Sequence, residues 1–329
     1  METCHSIYTA CCPQCGEINL YQRNSHTDLT GYIALLTGGR IKIGYHTAVR
    51  LLRNGASVIA TSRFPYSALA EYQKEPDYNN WAERLHIFGL DLLRIDLLEN
   101  FINRICRRFD YLDIIINNAA QTVKDDDGNL KQALIEGELS QRNLPDTVKI
   151  ENFLPDIKLN NQISCAGIVL TDCNRNAWTK KSGEVSIKEL LETQIINVTA
   201  PYLMSTALNP LMNKSPHKNR FLINVSSLEG KFSVRKKSSS HPHTNMAKAA
   251  LNMMTKTFAD EYRRNRIYVY SIDPGWVSDQ FPGDSRVKPE LPLDFDDAAA
   301  RLTYPILEWK ESEKPPTGIF LKDYMQTEW

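Results

Sequence analysis

No stretch of about 18 apolar residues occurs in the 329-residue chain, so no membrane span is expected. Neither sign of charge is in excess. The 39 Lys and Arg balance 39 Asp and Glu, which argues against a field-driven role on nucleic acid or an anionic membrane. The basic run Arg235–Lys237 reads as a solvated loop. The chain shows no charged leader ahead of an apolar stretch, and secretion is not expected. Asn197-Val-Thr and Asn224-Val-Ser fit the glycosylation pattern, but both abut apolar segments expected to be buried. Internal repeats are also lacking. Seven cysteines form an odd count, which suits reduced thiols or metal ligands better than a disulfide framework. The expected location is cytoplasmic.

What is present is an alternation. "YIALLTGG" (32–39), "ASVIATSR" (56–63), "LHIFGLDL" (85–92) and "LDIIINNAA" (112–120) read as strands whose near-continuous apolar content suits a parallel sheet covered on both faces. Between them, "HTAVRLLRNG" (46–55) and "ENFINRICRRF" (99–109) read as helices, the first ending on Gly55. The rhythm stops at 121–185, where "DDDGN" and scattered prolines suggest a long insertion or lid. It resumes with a helix over about 187–213 and the strand "RFLINVSS" (220–227). A helix over about 244–264 follows, with Met246, Ala249, Ala250, Met253 and Phe258 as candidate core contacts. "IYVYSIDPG" (267–275) and "GIFLKD" (318–323) close the set. The expected fold is α/β, a Rossmann-type doubly wound parallel sheet of about seven strands. Residues 1–31 would form a Cys-rich extension, and 32–329 a single domain carrying the insertion.

"TGGRIKIG" (37–44) follows a strand and opens a helix, where a glycine turn and helix N-terminus suit a pyrophosphate. Ser62-Arg63 ends the second strand where a carboxylate would bind an adenine-ribose 2′-hydroxyl. Arg63 could pair with a 2′-phosphate instead, and Arg40 adds a second cation. NADP is therefore expected over NAD.

In these residues the chain resembles the short-chain dehydrogenase/reductase family. The family turn T-G-x-x-x-G-x-G is matched by Thr37, Gly38 and Gly44, with Ile43 before the last glycine and Lys42 replacing the middle one. Asp91, followed by Leu92, matches the adenine-contacting Asp. The N-N-A-G stretch appears as Asn117, Asn118, Ala119 and Ala120. The nicotinamide loop looks like Pro274, Gly275 and Ser278, with Ser278 shifted by one. The matches run in family order from about residue 32 to the C-terminus, interrupted by the insertion. The resemblance implies hydride transfer between a nicotinamide and a carbonyl or alcohol carbon, with general acid–base work at the oxygen. It also implies a homo-oligomer, unless the insertion blocks one.

Three of the family's four catalytic positions are matched: Asn197, Ser227 (Ser226 being the lesser candidate) and Lys248. The tyrosine is absent, and Thr244 stands in its place. An aliphatic hydroxyl is far less acidic than a phenol and could instead cap the helix it opens. His243 or His241 could serve as acid or base, or a tyrosine from the insertion or another loop could enter the pocket. Two functions stay open: an NADP-dependent oxidoreductase with an atypical proton donor, or a catalytically degenerate binding or scaffold subunit whose insertion and extension form an interface.

Cys12-Pro-Gln-Cys15-Gly has the shape of a zinc knuckle. Cys4, Cys12 and Cys15 could hold a structural zinc, with Cys11 nearby and Cys165 or Cys173 as distant candidates. The alternative is thiols in a flexible tail.

Overall fold

Short Ile/Leu/Val runs pair side by side into one sheet in the computed structural model, which describes residues 4–120, 136–140, 149–154, 178–277 and 291–329. The strands are β1 (Ile33–Thr37), β2 (Ser57–Ser62), β3 (Leu85–Gly89), β4 (Ile114–Asn117), β5 (Lys149–Asn152), β6 (Arg220–Val225), β7 (Ile267–Asp273), β8 (Ile319–Lys322) and β9 (Met325–Thr327). Their spatial order is β5-β3-β2-β1-β4-β6-β7-β8-β9. Every pairing is parallel except the terminal β8–β9 hairpin. The order reverses at β1, between β2 and β4, which places a crevice at the carboxyl ends of those strands.

Among the described residues nine strands stand where the sequence suggests about seven. Two are invisible to an apolar-run reading. β5 lies in the insertion and carries Lys149 and Glu151 on an exposed edge, its Glu151 paired with Arg104 and Arg108 of the neighbouring helix. β9 is three residues long and mostly exposed. Edge strands of this kind need backbone pairing rather than apolar side chains.

The helices are α1 (Pro13–Asn24), α2 (Lys42–Arg53), α3 (Pro65–Tyr72), α4 (Ile95–Arg108), α5 (Ile187–Gln194), α6 (Ala200–Ala207), α7 (Asn209–Met212), α8 (Pro242–Arg263) and α9 (Phe295–Trp309). Successive strand residues feed opposite faces of the sheet. In β1, Ala34 and Leu36 join one apolar layer with Ala48, Leu52 and Leu302. Leu35 joins the other, with Phe101, Met204 and Leu222. Among the described residues, no helix is long and apolar enough to cross a membrane.

Two expectations about helices are corrected. The segment over about 187–213 is interrupted: α5 passes through a π turn (Ile195–Thr199) into α6, and α7 follows. In α8 two of the proposed core residues face outward, Met246 being 57% and Met253 62% exposed, Ala249 and Ala250 are half-buried, and Phe258 packs half-buried against the core as expected. The inward face instead carries Thr244, Ala247, Lys248, Leu251, Asn252 and Thr255. Of its polar groups, Lys248, Asn252 and Thr255 are paired by β6 and the turn after it. Asn252 accepts from Ser226 Oγ at 2.7 Å and donates to Gly230 O at 3.0 Å, and Thr255 accepts from Asn224 Nδ2 at 2.9 Å. A buried polar face is tolerated when its hydrogen bonds are made, and apolar periodicity does not reveal it.

Part of the extension is a docked helix. Tyr8 donates to Asp297 Oδ1 at 2.6 Å, Arg23 pairs with Asp294 at 2.6 Å, and Arg301 reaches Asn19 Oδ1 at 2.7 Å, which fixes α1 against α9.

Candidate active site

The turn after β1 is built by contacts that forbid side chains at two of its glycines. Gly38 has φ 73°, and a Cβ there would meet Ala119 Cα at 3.1 Å. At Gly44 a Cβ would fall 2.0 Å from Gly38 O, so the start of α2 packs directly on the turn. Asn118 clamps the arrangement: its Nδ2 donates to Thr37 O at 2.9 Å and Gly38 O at 3.2 Å. Thr37 Oγ1 in turn accepts from the amides of Asn118 and Ala119 at 3.0 and 2.9 Å. Ala120 is exposed beyond this clamp. Lys42, which replaces the middle glycine, takes up the left-handed backbone that glycine favours, with φ 54° and an exposed side chain. Ile41 caps α2 without a side-chain hydrogen bond, and Ile43 packs on the core. A cradle that a Cβ would fill, held open at a helix start, fits a pyrophosphate. Sequence reasoning missed the support beneath it, where Tyr72 OH donates to Gly39 O at 2.5 Å.

Arg40 and Arg63 flank one ring. Their guanidinium carbons lie 5.2 and 5.6 Å from the Phe64 centroid. Burial, and then the charge of Arg63, lowers the pKa of Arg40 below its ordinary value, as expected for two cations sharing a site. Ser62 Oγ accepts from Phe64 N at 2.9 Å and fixes this turn. Asp91 does the same one strand over, its Oδ1 accepting from Leu93 N at 3.0 Å, with Leu92 buried beside it. Asn117, by contrast, is spent on structure, donating to Asn224 Oδ1 at 2.8 Å.

At the end of β6 the two serines divide. Ser226 is buried and bonded to Asn252, whereas Ser227 is half-buried and makes no side-chain cap bond. Lys248, 6% exposed, donates from Nζ to Val225 O at 2.7 Å. The close approach depends on Gly230, where a Cβ would meet the Lys248 backbone at 2.6 Å. Burial brings the Lys248 ammonium down to about 8, opposed by the carboxylates of Glu229 and Asp273. Asn197 is buried in the π turn between α5 and α6, a distortion that recurs at functional sites.

Thr244 lies one helical turn before Lys248 on the same inward face. It is 1% exposed, and its Oγ1 has no hydrogen-bond partner among the described residues. It does not cap α8, which begins at Pro242 with His241 in the left-handed region at φ 44°. His241 is engaged elsewhere, stacked on Trp178 at 4.1 Å with Nδ1 2.7 Å from Trp178 O. His243 is buried, with Nε2 3.8 Å from Glu189 Oε1 and Nδ1 lacking a partner among the described residues. Lys180 holds that carboxylate at 2.6 Å. Burial lowers the His243 pKa below the usual imidazole value.

Pro274 and Gly275 follow β7, with Gly275 at φ 87° and its amide bonded to Asp273 Oδ1 at 2.8 Å. Ser278, Cys165 and Cys173 lie outside the described residues. The expectation of a tyrosine from the insertion is corrected by the sequence itself, since residues 121–185 contain none. The zinc expectation gains no support: no group of three or more His, Cys, Asp or Glu among the described residues could hold a metal. Cys12 is the N-cap of α1 and Cys15 lies in its first turn, both exposed, as is Cys4, and no third ligand converges on them.

Two family models match the chain. One, described as short chain dehydrogenase, covers residues 32–148, and one described as Enoyl-(Acyl carrier protein) reductase covers 158–291. An uncharacterised protein of Acanthamoeba polyphaga mimivirus is 34% identical over 333 residues, spanning 95% of this chain and 70% of that protein. A (+)-neomenthol dehydrogenase of Capsicum annuum is 27% identical over 208 residues, or 61% of this chain and 57% of that enzyme. Among solved structures, the NADPH-bound carbonyl reductase from chicken fatty liver superposes with a TM-score of 0.62 at 19% identity, covering 92% of this chain and 100% of that one. At that identity the likeness bears on the fold alone.

Proposed function

Because the chain belongs to the short-chain dehydrogenase/reductase family, we propose that it is an NADP-dependent oxidoreductase of a carbonyl or alcohol whose proton is handled by Lys248 through the Thr244 hydroxyl. The observation that carries this reading is that a buried lysine of lowered pKa and a buried hydroxyl with no partner among the described residues lie one turn apart on the inward face of α8, at the place of the missing phenol.

The glycine cradle of Thr37, Gly38 and Gly44 would hold the pyrophosphate, with Asp91, Asn118, Ala119 and the Pro274-Gly275 loop around the rest of the dinucleotide. Arg40 and Arg63 would hold the 2′-phosphate. The NADPH in the chicken carbonyl reductase supports the same choice of cofactor here. When bound, the nicotinamide supplies or takes the hydride. Ser227 donates a hydrogen bond to the substrate oxygen and orients it. Thr244 Oγ1 gives its proton to that oxygen in reduction and takes one from Lys248 Nζ, so the hydroxyl itself is never left as an alkoxide. Asn197 would complete a relay that re-protonates Lys248.

His243 suits the donor role less well. Its lowered pKa leaves the ring uncharged at neutral pH, whereas Lys248 still holds a proton near pH 7 and releases it more readily than an ordinary lysine.

The test is a pH profile of NADPH-dependent carbonyl reduction with Thr244 and His243 variants. Reduction should be level below about pH 8 and fall above it as Lys248 deprotonates. Thr244→Val should slow turnover about 10²-fold with NADPH affinity kept, and Thr244→Ser should restore most of it. A full rate in Thr244→Val would sink the relay, and loss confined to His243→Ala would move the donor to that ring. NADPH binding with no turnover across a carbonyl panel would leave a binding subunit in place of an enzyme.

A further inference from the structure

One carboxylate in the nucleotide half comes from neither a strand end nor the glycine turn. Glu136 belongs to the insertion, in the helical residues 136–140, and is 7% exposed. Its Oε1 accepts from Tyr66 N at 2.7 Å and its Oε2 from Ser67 N at 2.8 Å. These amides open α3, whose N-cap residue Phe64 offers no side-chain bond of its own. The same Phe64 ring lies between Arg40 and Arg63. A fixed carboxylate therefore sits on the amides two and three residues past that ring, within electrostatic reach of Arg40, one of the two guanidiniums assigned above to the 2′-phosphate. Arg40 senses it, since the charge of Glu136 opposes the burial that lowers the arginine.

We propose that Glu136 is a specificity-determining residue of the dinucleotide site, a fixed negative charge that weakens binding of an adenosine 2′-phosphate relative to a 2′-hydroxyl. The proposal rests on the nucleotide reading above. Its physics separates into two parts. The hydrogen bonds cap α3 and support the Arg63-Phe64 turn for either cofactor equally. The charge separates the two cofactors through the 2′-phosphate, because the pyrophosphate is common to both and a neutral 2′-hydroxyl has no net Coulomb interaction with it. Arg40 and Arg63 draw the phosphate in, and Glu136 tempers that attraction. The sequence offers no carboxylate at the end of β2; the insertion delivers one from about seventy residues away in the chain.

The test is calorimetric titration of NADPH and NADH into the full-length protein and two variants, with thermal melts alongside. Glu136→Gln keeps the shape and one of the two acceptor oxygens but removes the charge, so the NADPH-to-NADH ratio, which a partly lost cap does not change, is its readout. This variant should tighten NADPH about five- to tenfold and leave NADH within about twofold. The NADPH gain should shrink in about 0.5 M salt, as screening requires. Glu136→Ala also removes the cap. It should lower the melting temperature and weaken both cofactors, with the NADPH-to-NADH ratio still shifted toward NADPH. An unchanged ratio in both variants overturns the proposal, even if the melting temperature falls, because Glu136 would then be a cap and nothing more. If the unmodified protein binds neither dinucleotide, the nucleotide reading fails and this inference with it.

Discussion

At the carboxyl end of β1, Lys42 stands where the family has glycine; at the amino end of α8, Thr244 stands where it has tyrosine. The two replacements are absorbed differently. The glycine supplies only backbone geometry, and Lys42 takes up the left-handed backbone that glycine favours, at φ 54° with its side chain in solvent. That conformation costs an L-residue roughly 1–2 kcal/mol, and it leaves the cradle intact. The tyrosine supplies an acidic group on a long side chain, and no rotation of threonine provides either. On the oxidoreductase reading proposed above the acid must come from elsewhere, and the buried Lys248 is the group whose pKa is already moved toward neutrality. A backbone role tolerates substitution when the chain around it is over-determined; a chemical role passes to a neighbour.

The comparison breaks first at Lys248. Lys248→Met should reduce turnover by about 10³-fold or more, measured as NADPH oxidation with a carbonyl acceptor. The same change should stabilise the cofactor-free protein at pH 7 by about 1–2 kcal/mol in denaturant unfolding, since a buried cation is removed. The sign with pH follows from the lowered pKa. Below about 8 the burial penalty is fully present, and it is released between there and the unfolded lysine value of about 10.4. The advantage of Lys248→Met should therefore shrink as pH rises through that window.

Gly44→Ala tests the nucleotide half. Its Cβ would lie 2.0 Å from Gly38 O, so the turn must shift. We expect about 2–3 kcal/mol of destabilisation and loss of measurable NADPH binding by calorimetry. Arg63→Ala should weaken NADPH about tenfold while NADH changes little. A matching loss for NADH would show that the cation shapes the turn and does not read the phosphate. The smallest effect is expected at Lys42. Lys42→Gly should raise stability by about 1 kcal/mol by relieving the positive φ. A loss of stability there would mean that the lysine side chain contributes more than the backbone strain removes.

Legibility differed between the same two regions. The seven long strands, the glycine turn and the order Asn197, Ser227, Lys248 could be read because each rests on residues close in sequence or on an apolar run. That Ser226 is engaged by Asn252 while Ser227 is half-buried beside it could not be read from two adjacent serines. The inward face of α8 was misread because apolar residues were assigned to its core. Met246 and Met253 face out, while Asn252 and Thr255 are buried by hydrogen bonds to strand ends. Tyr72 beneath Gly39, Gly230 under Lys248 and Glu136 at α3 carry no local signal. Each acts across 18 to 70 residues.

Sequence alone determined the parallel Rossmann-type sheet, the position of the dinucleotide turn and the loss of the phenol, because periodicity, turn chemistry and residue identity are local properties. Tertiary structure decided what those residues can do. Burial against β6 gives Lys248 its altered acidity, the clash of a Cβ with Gly38 O explains Gly44, and the insertion brings Glu136 within electrostatic reach of Arg40. Desolvation, steric contact and charge all depend on distance in space, which the order of residues does not carry.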